Sequence, residues 1–249
     1  MKQEAAEKLR SLPMKEAMLL WEEVEEIGLE SGDSKGATRD LCKNDLFYLL
    51  VRVCKRTDLL HPWIYARCRE VEKDPNGHLD LWAREHYKST LITFGLTIQS
   101  ILKDPDITVG IFSHTRPIAK AFLRQIMREL ENNTILHSAF PDILWGKNLK
   151  DAPKWSEDEG IIIKRKSNPN EATVEAWGVV DGQPTSKHFR VLLYDDVVVK
   201  DSVTTPEMKQ KTMSQLELSY NLGQMDGVRR MLGTRWDFDD AYRTVLERG

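Results

Sequence analysis

Residues 79–90, Leu-Asp-Leu-Trp-Ala-Arg-Glu-His-Tyr-Lys-Ser-Thr, constrain this chain more than any other stretch. A short apolar run stops at Ala83, Lys88-Ser89-Thr90 follows, and a long apolar-periodic segment begins. Strand, tight loop, Lys-Ser/Thr and helix is the layout of a phosphate-binding loop. The strand fixes the loop, and the helix N-terminus aims unsatisfied N–H groups and a partial positive charge at an anion. The lysine reaches the β- and γ-phosphates, and the hydroxyl after it ligates Mg²⁺. The usual pattern, G-x-x-x-x-G-K-[ST], is met in part. Trp82 stands where its first glycine would be, and Tyr87 where its second would be. The same residues also read as a plain helix start with Ser and Thr near its N-terminus, so the rest of the chain has to decide.

Before this stretch, residues 1–30 and 38–56 carry apolar residues at helical spacing, separated by a loop signal around Gly32 and Gly36. His61-Pro62-Trp63 opens a further helix, and Asp74-Pro75-Asn76-Gly77 is a turn that leads into a strand at 79–83. After the lysine, residues 91–102 predict an apolar helix ended by Asp104-Pro105. A second β-rich run follows at 108–113, then a helix over 118–131 with Pro117 at its start and Asn132-Asn133 after its end. The order β-loop-α-β-loop-α predicts a parallel sheet with right-handed crossovers.

Residues 160–165 and 173–180 read as a strand pair, and 178–186 as a loop. Residues 189–196, Phe-Arg-Val-Leu-Leu-Tyr-Asp-Asp, read as a buried strand ending in two aspartates. A helix is expected over 206–220, a turn over 223–227, and a strand over 228–236 that ends in Gly233-Thr234-Arg235-Trp236. Asp237 to Asp240 then cap a short final helix.

In an open parallel sheet, ligands bind at the carboxyl ends of the strands. A carboxylate at such an end can hold the Mg²⁺ that bridges the β- and γ-phosphates, and a second beside it can polarise an attacking water. Asp195 and Asp196 are placed for those tasks, and Thr234 brings a hydroxyl to the same edge. Each motif alone has a plain structural reading, as an acidic turn or a strand-to-loop exit. Their joint occurrence, in this order, favours a nucleotide-hydrolysing domain.

Composition narrows the setting. The 249 residues are 41% hydrophobic and 30% charged, which is ordinary for a globular chain and enough for one large α/β domain or two small ones. A net charge of −3 argues against a wholesale nucleic-acid coat, while a local basic surface stays open. Cys42, Cys54 and Cys68 have no C-x-x-C spacing, which fits reduced thiols in a cytosolic protein. No secretory signal and no apolar run of membrane-spanning length is visible.

With these motifs in hand, the chain resembles a known family. Ala-Arg84-Glu-His-Tyr-Lys88-Ser89-Thr90 resembles the deviant Walker A motif of the large terminase subunit of tailed bacteriophages, in which glycines are often lost and an arginine opens the loop. Leu-Leu-Tyr-Asp195-Asp196 is similar to its Walker B strand with the catalytic acid, and Gly233-Thr234-Arg235-Trp236 to its coupling motif. Ser113-His114-Thr115 is similar to its motif Ia region. The resemblance covers about residues 40–249.

It implies a P-loop ATPase of the ASCE, RecA-like class: an α/β fold with a mainly parallel central sheet flanked by helices. Residues 1–40 would be a helical segment packed on a motor domain at 41–249, and the C-terminal nuclease domain of the family would be absent. The implied cofactors are ATP and Mg²⁺. Arg84, Glu85, His86, Tyr87, Lys88, Ser89 and Thr90 would bind nucleotide, with Ser89 and Asp195 on the metal. Arg84, Asp196 and Thr234 would carry catalysis and its coupling to movement, with Asp196 standing where many members have Glu. The implied partners are double-stranded DNA, a portal protein, a small terminase subunit and further copies in a ring, with no membrane, in the host bacterial cytoplasm. Arg116, Arg165 and Arg190 are candidates for an arginine donated in trans. Rival readings are a helicase-like nucleic-acid-dependent ATPase and a scaffold with a degenerate nucleotide site. Trp63 and Trp82 read as core residues before base-stacking ones, and the basic residues of 116–128 as a solvated helix face.

Overall fold

The computed structural model describes residues 9–73, 76–146 and 149–248. Its frame is a seven-stranded sheet built from β1 (His78–Asp80), β2 (Val109–Ser113), β3 (Trp155–Ser156), β4 (Gly160–Ile161), β5 (Val174–Gly178), β6 (Phe189–Asp195) and β7 (Gly223–Leu232). The order across the sheet is β1-β7-β6-β2-β5-β4-β3. The pairs from β1 to β5 are parallel, and the two antiparallel pairs, β5 with β4 and β4 with β3, lie at one margin. The fold is thus an α/β open sheet, mostly parallel and flanked by helices.

β2 and β6 are buried on both faces, which is why they read as near-continuous apolar runs. Their side chains alternate between two cores. Val109, Ile111 and Leu193 face one core, and Phe112, Leu192 and Tyr194 face the other. The first core is covered by α1 (Met14–Glu30), α2 (Ser34–Asn44), α3 (Pro62–Lys73), α4 (Thr97–Lys103), α5 (Arg116–Asn132) and α6 (Thr134–Ala139). The second is closed by α7 (Pro206–Ser219) and α8 (Ala241–Arg248). Trp21 of α1 is buried and donates its indole N–H to Asp45 at 2.8 Å, so the N-terminal helices share the first core.

The helix after Lys88 is π-wound over Thr90–Leu96 before it continues as α4. A second π segment, Leu49–Val53, packs against it. Gly95 permits the approach, since a Cβ there would lie 2.8 Å from Leu50 Cδ2.

Several elements differ from the sequence reading. β1 ends at Asp80, and residues 81–83 leave the ladder for the loop. The expected turn at 223–227 is the first half of β7. Phe189 pairs with Gly223 and Val191 with Val228, so the turn-like residues form an irregularity inside a strand. The predicted strand pair 160–165 and 173–180 meets only at Ile161 and Val174, because β4 is two residues long and the chain leaves the ladder after Ile161. The loop signal at Gly36 falls inside α2, whose start Asp33 caps by accepting the Gly36 N–H. Asn133 begins a helix, α6, rather than only ending one. Asp74 and Pro75 of the expected turn, and residues 1–8, lie outside the described residues. Among the described residues no helix is long and apolar enough to cross a membrane.

Candidate functional site

Parallel pairing aligns the carboxyl ends of β1, β7, β6 and β2, and the candidate residues leave the sheet at that edge. The ends are stitched together. Gly233 donates its N–H to the Asp80 carbonyl at 3.1 Å, and Asp196 donates its N–H to the Leu232 carbonyl at 3.1 Å. Ser113 Oγ donates to the Asp195 carbonyl at 2.6 Å. β7 lies between β1 and β6, so Thr234 emerges between the lysine loop and the aspartates.

The loop leaves β1 without glycine. Glu85 and Tyr87 adopt left-handed backbone conformations, φ +63° and +59°, of the kind glycine favours. Tyr87 therefore reproduces, with a side chain attached, the backbone of the glycine it replaces. Helical winding begins at Lys88. Residues 85–90 line a cavity of about 580 Å³.

Lys88 is buried, and its Nζ donates to Thr234 Oγ1 at 3.1 Å and stands 3.9 Å from Asp196 Oδ1. Ser89 Oγ donates to Asp195 Oδ1 at 3.1 Å. Thr93 Oγ1 donates to Asp195 Oδ2 at 2.5 Å. Both oxygens of the Asp195 carboxylate are thus held by one face of the helix that starts at Lys88. Thr93 was not anticipated from the sequence. Its signal was a hydroxyl four residues after Ser89, on the same face of an otherwise apolar helix.

The two aspartates occupy different environments. Asp195 is fully buried, and burial pushes its carboxyl up to about 7, against the pull of the Thr93 hydroxyl. Asp196 leaves β6 at φ +50°, and its side chain is 40% exposed toward the crevice. Adjacent carboxylates with opposed surroundings suit a division of labour, one held in place and one free to meet water.

Arg84 is exposed and lies over the Trp236 ring at 4.1 Å from its centre, tying the loop to the exit of β7. Gly233 is dictated by Tyr242 of α8, because a Cβ would come 2.0 Å from the phenol oxygen. Asp240 stands at the start of α8, and its carbonyl accepts the Arg243 N–H at 3.0 Å. It is buried and faces back to Arg235 and the Trp236 N–H. His86 contacts Trp63 edge to face at 5.3 Å between ring centres, and Trp63 meets Trp82 in the same way at 5.4 Å. Trp82 is half-buried, but Trp63 is 36% exposed and outside the core. Of the three arginines considered for action in trans, Arg116 sits at the carboxyl edge, over Trp177. Arg190 pairs with Asp104 at the amino edge, and Arg165 follows β4 near Asp106. On the α5 face, Lys120 and Arg124 are paired with Asp158 and Glu157.

The donor set suits a hard divalent cation bound jointly with a ligand. Ser89 Oγ and Asp195 Oδ1 are 3.1 Å apart, close to the ~3 Å separating neighbouring oxygens around a Mg²⁺ with ligands at about 2.0–2.1 Å. Among the described residues no group of three or more His, Cys, Asp or Glu could hold a metal. One carboxylate and one hydroxyl leave most positions to water and substrate oxygens, which is how Mg²⁺ is commonly held beside phosphates. No protein-family model matches the chain, and no curated protein matches it in sequence.

Proposed function

We propose that the chain is a Mg²⁺-dependent ATPase of the P-loop class and, by its resemblance to the large terminase subunit, the motor domain of a viral DNA-packaging machine. One observation carries the reading: Lys88, Ser89, Asp195, Asp196 and Thr234, from three separated segments, converge within 4 Å contacts at the carboxyl edge of a parallel sheet.

In this reading the triphosphate lies in the crevice at residues 85–90, with Lys88 on the β- and γ-phosphate oxygens. Ser89 and Asp195 hold Mg²⁺, which when bound neutralises charge on those oxygens. Asp196, exposed to the crevice, orients the attacking water. Thr234 exchanges its bond with the Lys88 ammonium for one nearer the γ-phosphate, and so registers whether nucleotide is present. Arg84 relays that change through Trp236 to the segment after β7. Double-stranded DNA is the translocated substrate, and a ring of copies on a portal is the working assembly. An arginine from a neighbouring copy completes the site, worth roughly 10³–10⁵ in rate.

The deciding experiment measures ATP turnover with Mg²⁺ against protein concentration, with Asp196→Ala and Lys88→Ala alongside. Turnover that rises faster than linearly and is lost in both variants is the expected result. Unchanged turnover in Lys88→Ala, or no nucleotide binding by the parent chain, overturns the reading. Stimulation by single-stranded DNA with strand separation favours a helicase-like enzyme instead.

A further inference from the structure

A second cavity, of about 300 Å³, lies between the helix that starts at Lys88 and the amino half of the sheet. It has no part in the chemistry proposed above. Protein interiors hold few voids larger than a water molecule, and ligand pockets begin at about this size. The cause is local. The sheet offers short side chains here, Val109, Val191 and Val228, while the helix turns Thr97 and Ser100 toward them in place of larger apolar residues. Ile92 and Leu96 complete an apolar interior.

The charged groups around it are unequal in their partners. Glu72 is met by the Leu46 N–H at 2.9 Å, Gln99 at 2.8 Å and Arg69 at 3.2 Å. Arg230 is held by Asp80 at 2.9 Å, and Arg190 by Asp104 at 2.8 Å. Lys103 is exposed; its ammonium feels the Glu72 carboxylate electrostatically, but its hydrogen bond goes to a neutral acceptor, Gln99 Oε1, at 2.8 Å. Arg190 is also largely open to solvent, and the two cations stand at the solvent side of an apolar chamber. Charge complementarity then selects a molecule with an apolar body and one anionic head.

We propose that this cavity binds a small amphipathic carboxylate, its alkyl or aryl body between helix and sheet and its carboxylate on Lys103, with Arg190 beside it. Such a ligand gains from removing apolar surface from water, and from a charge-assisted hydrogen bond at the solvent side.

The test uses octanoate as probe and 1-octanol as its uncharged counterpart. Binding to the whole chain is followed by calorimetry and by methyl NMR shifts of Ile92, Leu96, Val191 and Leu193. Saturable octanoate binding with shifts at those methyls is expected. Lys103→Met should weaken octanoate about tenfold and leave octanol unchanged. Ser100→Leu, a change on a helix surface that fills the chamber, should abolish both. Absence of saturable binding by the folded parent chain overturns the proposal, as does octanoate binding that survives Ser100→Leu. Neither outcome bears on ATP turnover at the opposite edge.

Discussion

Lys88 and Thr234 stand 146 residues apart in the chain, yet the lysine ammonium donates to the threonine hydroxyl at 3.1 Å. That bond joins the loop after the edge strand to the exit of its neighbour, and it occupies the groups that a phosphate would claim. Thr234→Val should leave the fold intact and lower ATP turnover about 10²-fold, the scale on which loss of one preorganised polar group acts. Thr234→Ser should keep most of the activity. Steady-state kinetics on the two variants decides, and equal turnover in the valine variant would remove Thr234 from the mechanism.

Asp195 makes the metal-free protein's stability depend on pH in a definite direction. Its carboxyl is pushed up to about 7 by burial, above its ordinary value near 3.8. Below both values the group is protonated in either state and carries no penalty. Between them the unfolded chain releases a proton that the folded chain retains, so stability falls as pH rises, by about 1.4 kcal/mol per unit at most. Above about 7 the loss levels off. Urea unfolding in a chelator from pH 4 to 8 should show parent stability dropping relative to Asp195→Asn across pH 4–7, then running parallel. Parallel curves throughout would contradict the assignment.

Thr93→Val removes the donor to Asp195 Oδ2 in a buried setting. Leaving that oxygen unsatisfied should cost about 1–3 kcal/mol. The loss should be larger at pH 8 than at pH 5, because the ionised carboxylate needs the donor more. Chemical denaturation at the two pH values measures it.

Gly233→Ala places a methyl group against the Tyr242 phenol. Overpacking of this kind costs about 1–3 kcal/mol. Because the collision sits one residue before Thr234, turnover should fall along with the melting temperature. A variant as stable as the parent would mean that α8 yields easily.

Arg84 and Trp236 form a cation–π pair at 4.1 Å. A double-mutant cycle with Arg84→Ala and Trp236→Leu should give a coupling of about 0.5–1 kcal/mol in stability, typical of an exposed pair. In turnover, the double variant should be no worse than Arg84→Ala. Additive kinetic losses would separate the two residues.

The parallel sheet and the meeting of Lys88, Ser89, Asp195, Asp196 and Thr234 were legible, because buried parallel strands are apolar runs and their polar exits are abrupt. Other features depended on partners distant in sequence. Gly223 to Gly227 has the composition of a turn, and only the pairing of Phe189 with Gly223 draws it into β7. The left-handed backbone of Tyr87 has no residue-level signal, since glycine is the usual marker. Nothing in the sequence near Arg84 foretells that Trp236, from the exit of another strand, comes beneath it. Trp63 reads as core because size and aromaticity say nothing about which side of a helix faces solvent.

β1 is three residues long and lies at the margin of the sheet, bonded on one side only. The lysine loop hangs from this strand, whereas both aspartates hang from the interior strand β6. The two halves of the site therefore differ in opening free energy. The amides of His78 to Asp80 should lose hydrogen-exchange protection well before those of Val191 to Asp195. Lys88 can then withdraw from Thr234 by a local excursion at the margin, while the carboxylates keep their place in a frame that moves only when the whole domain unfolds.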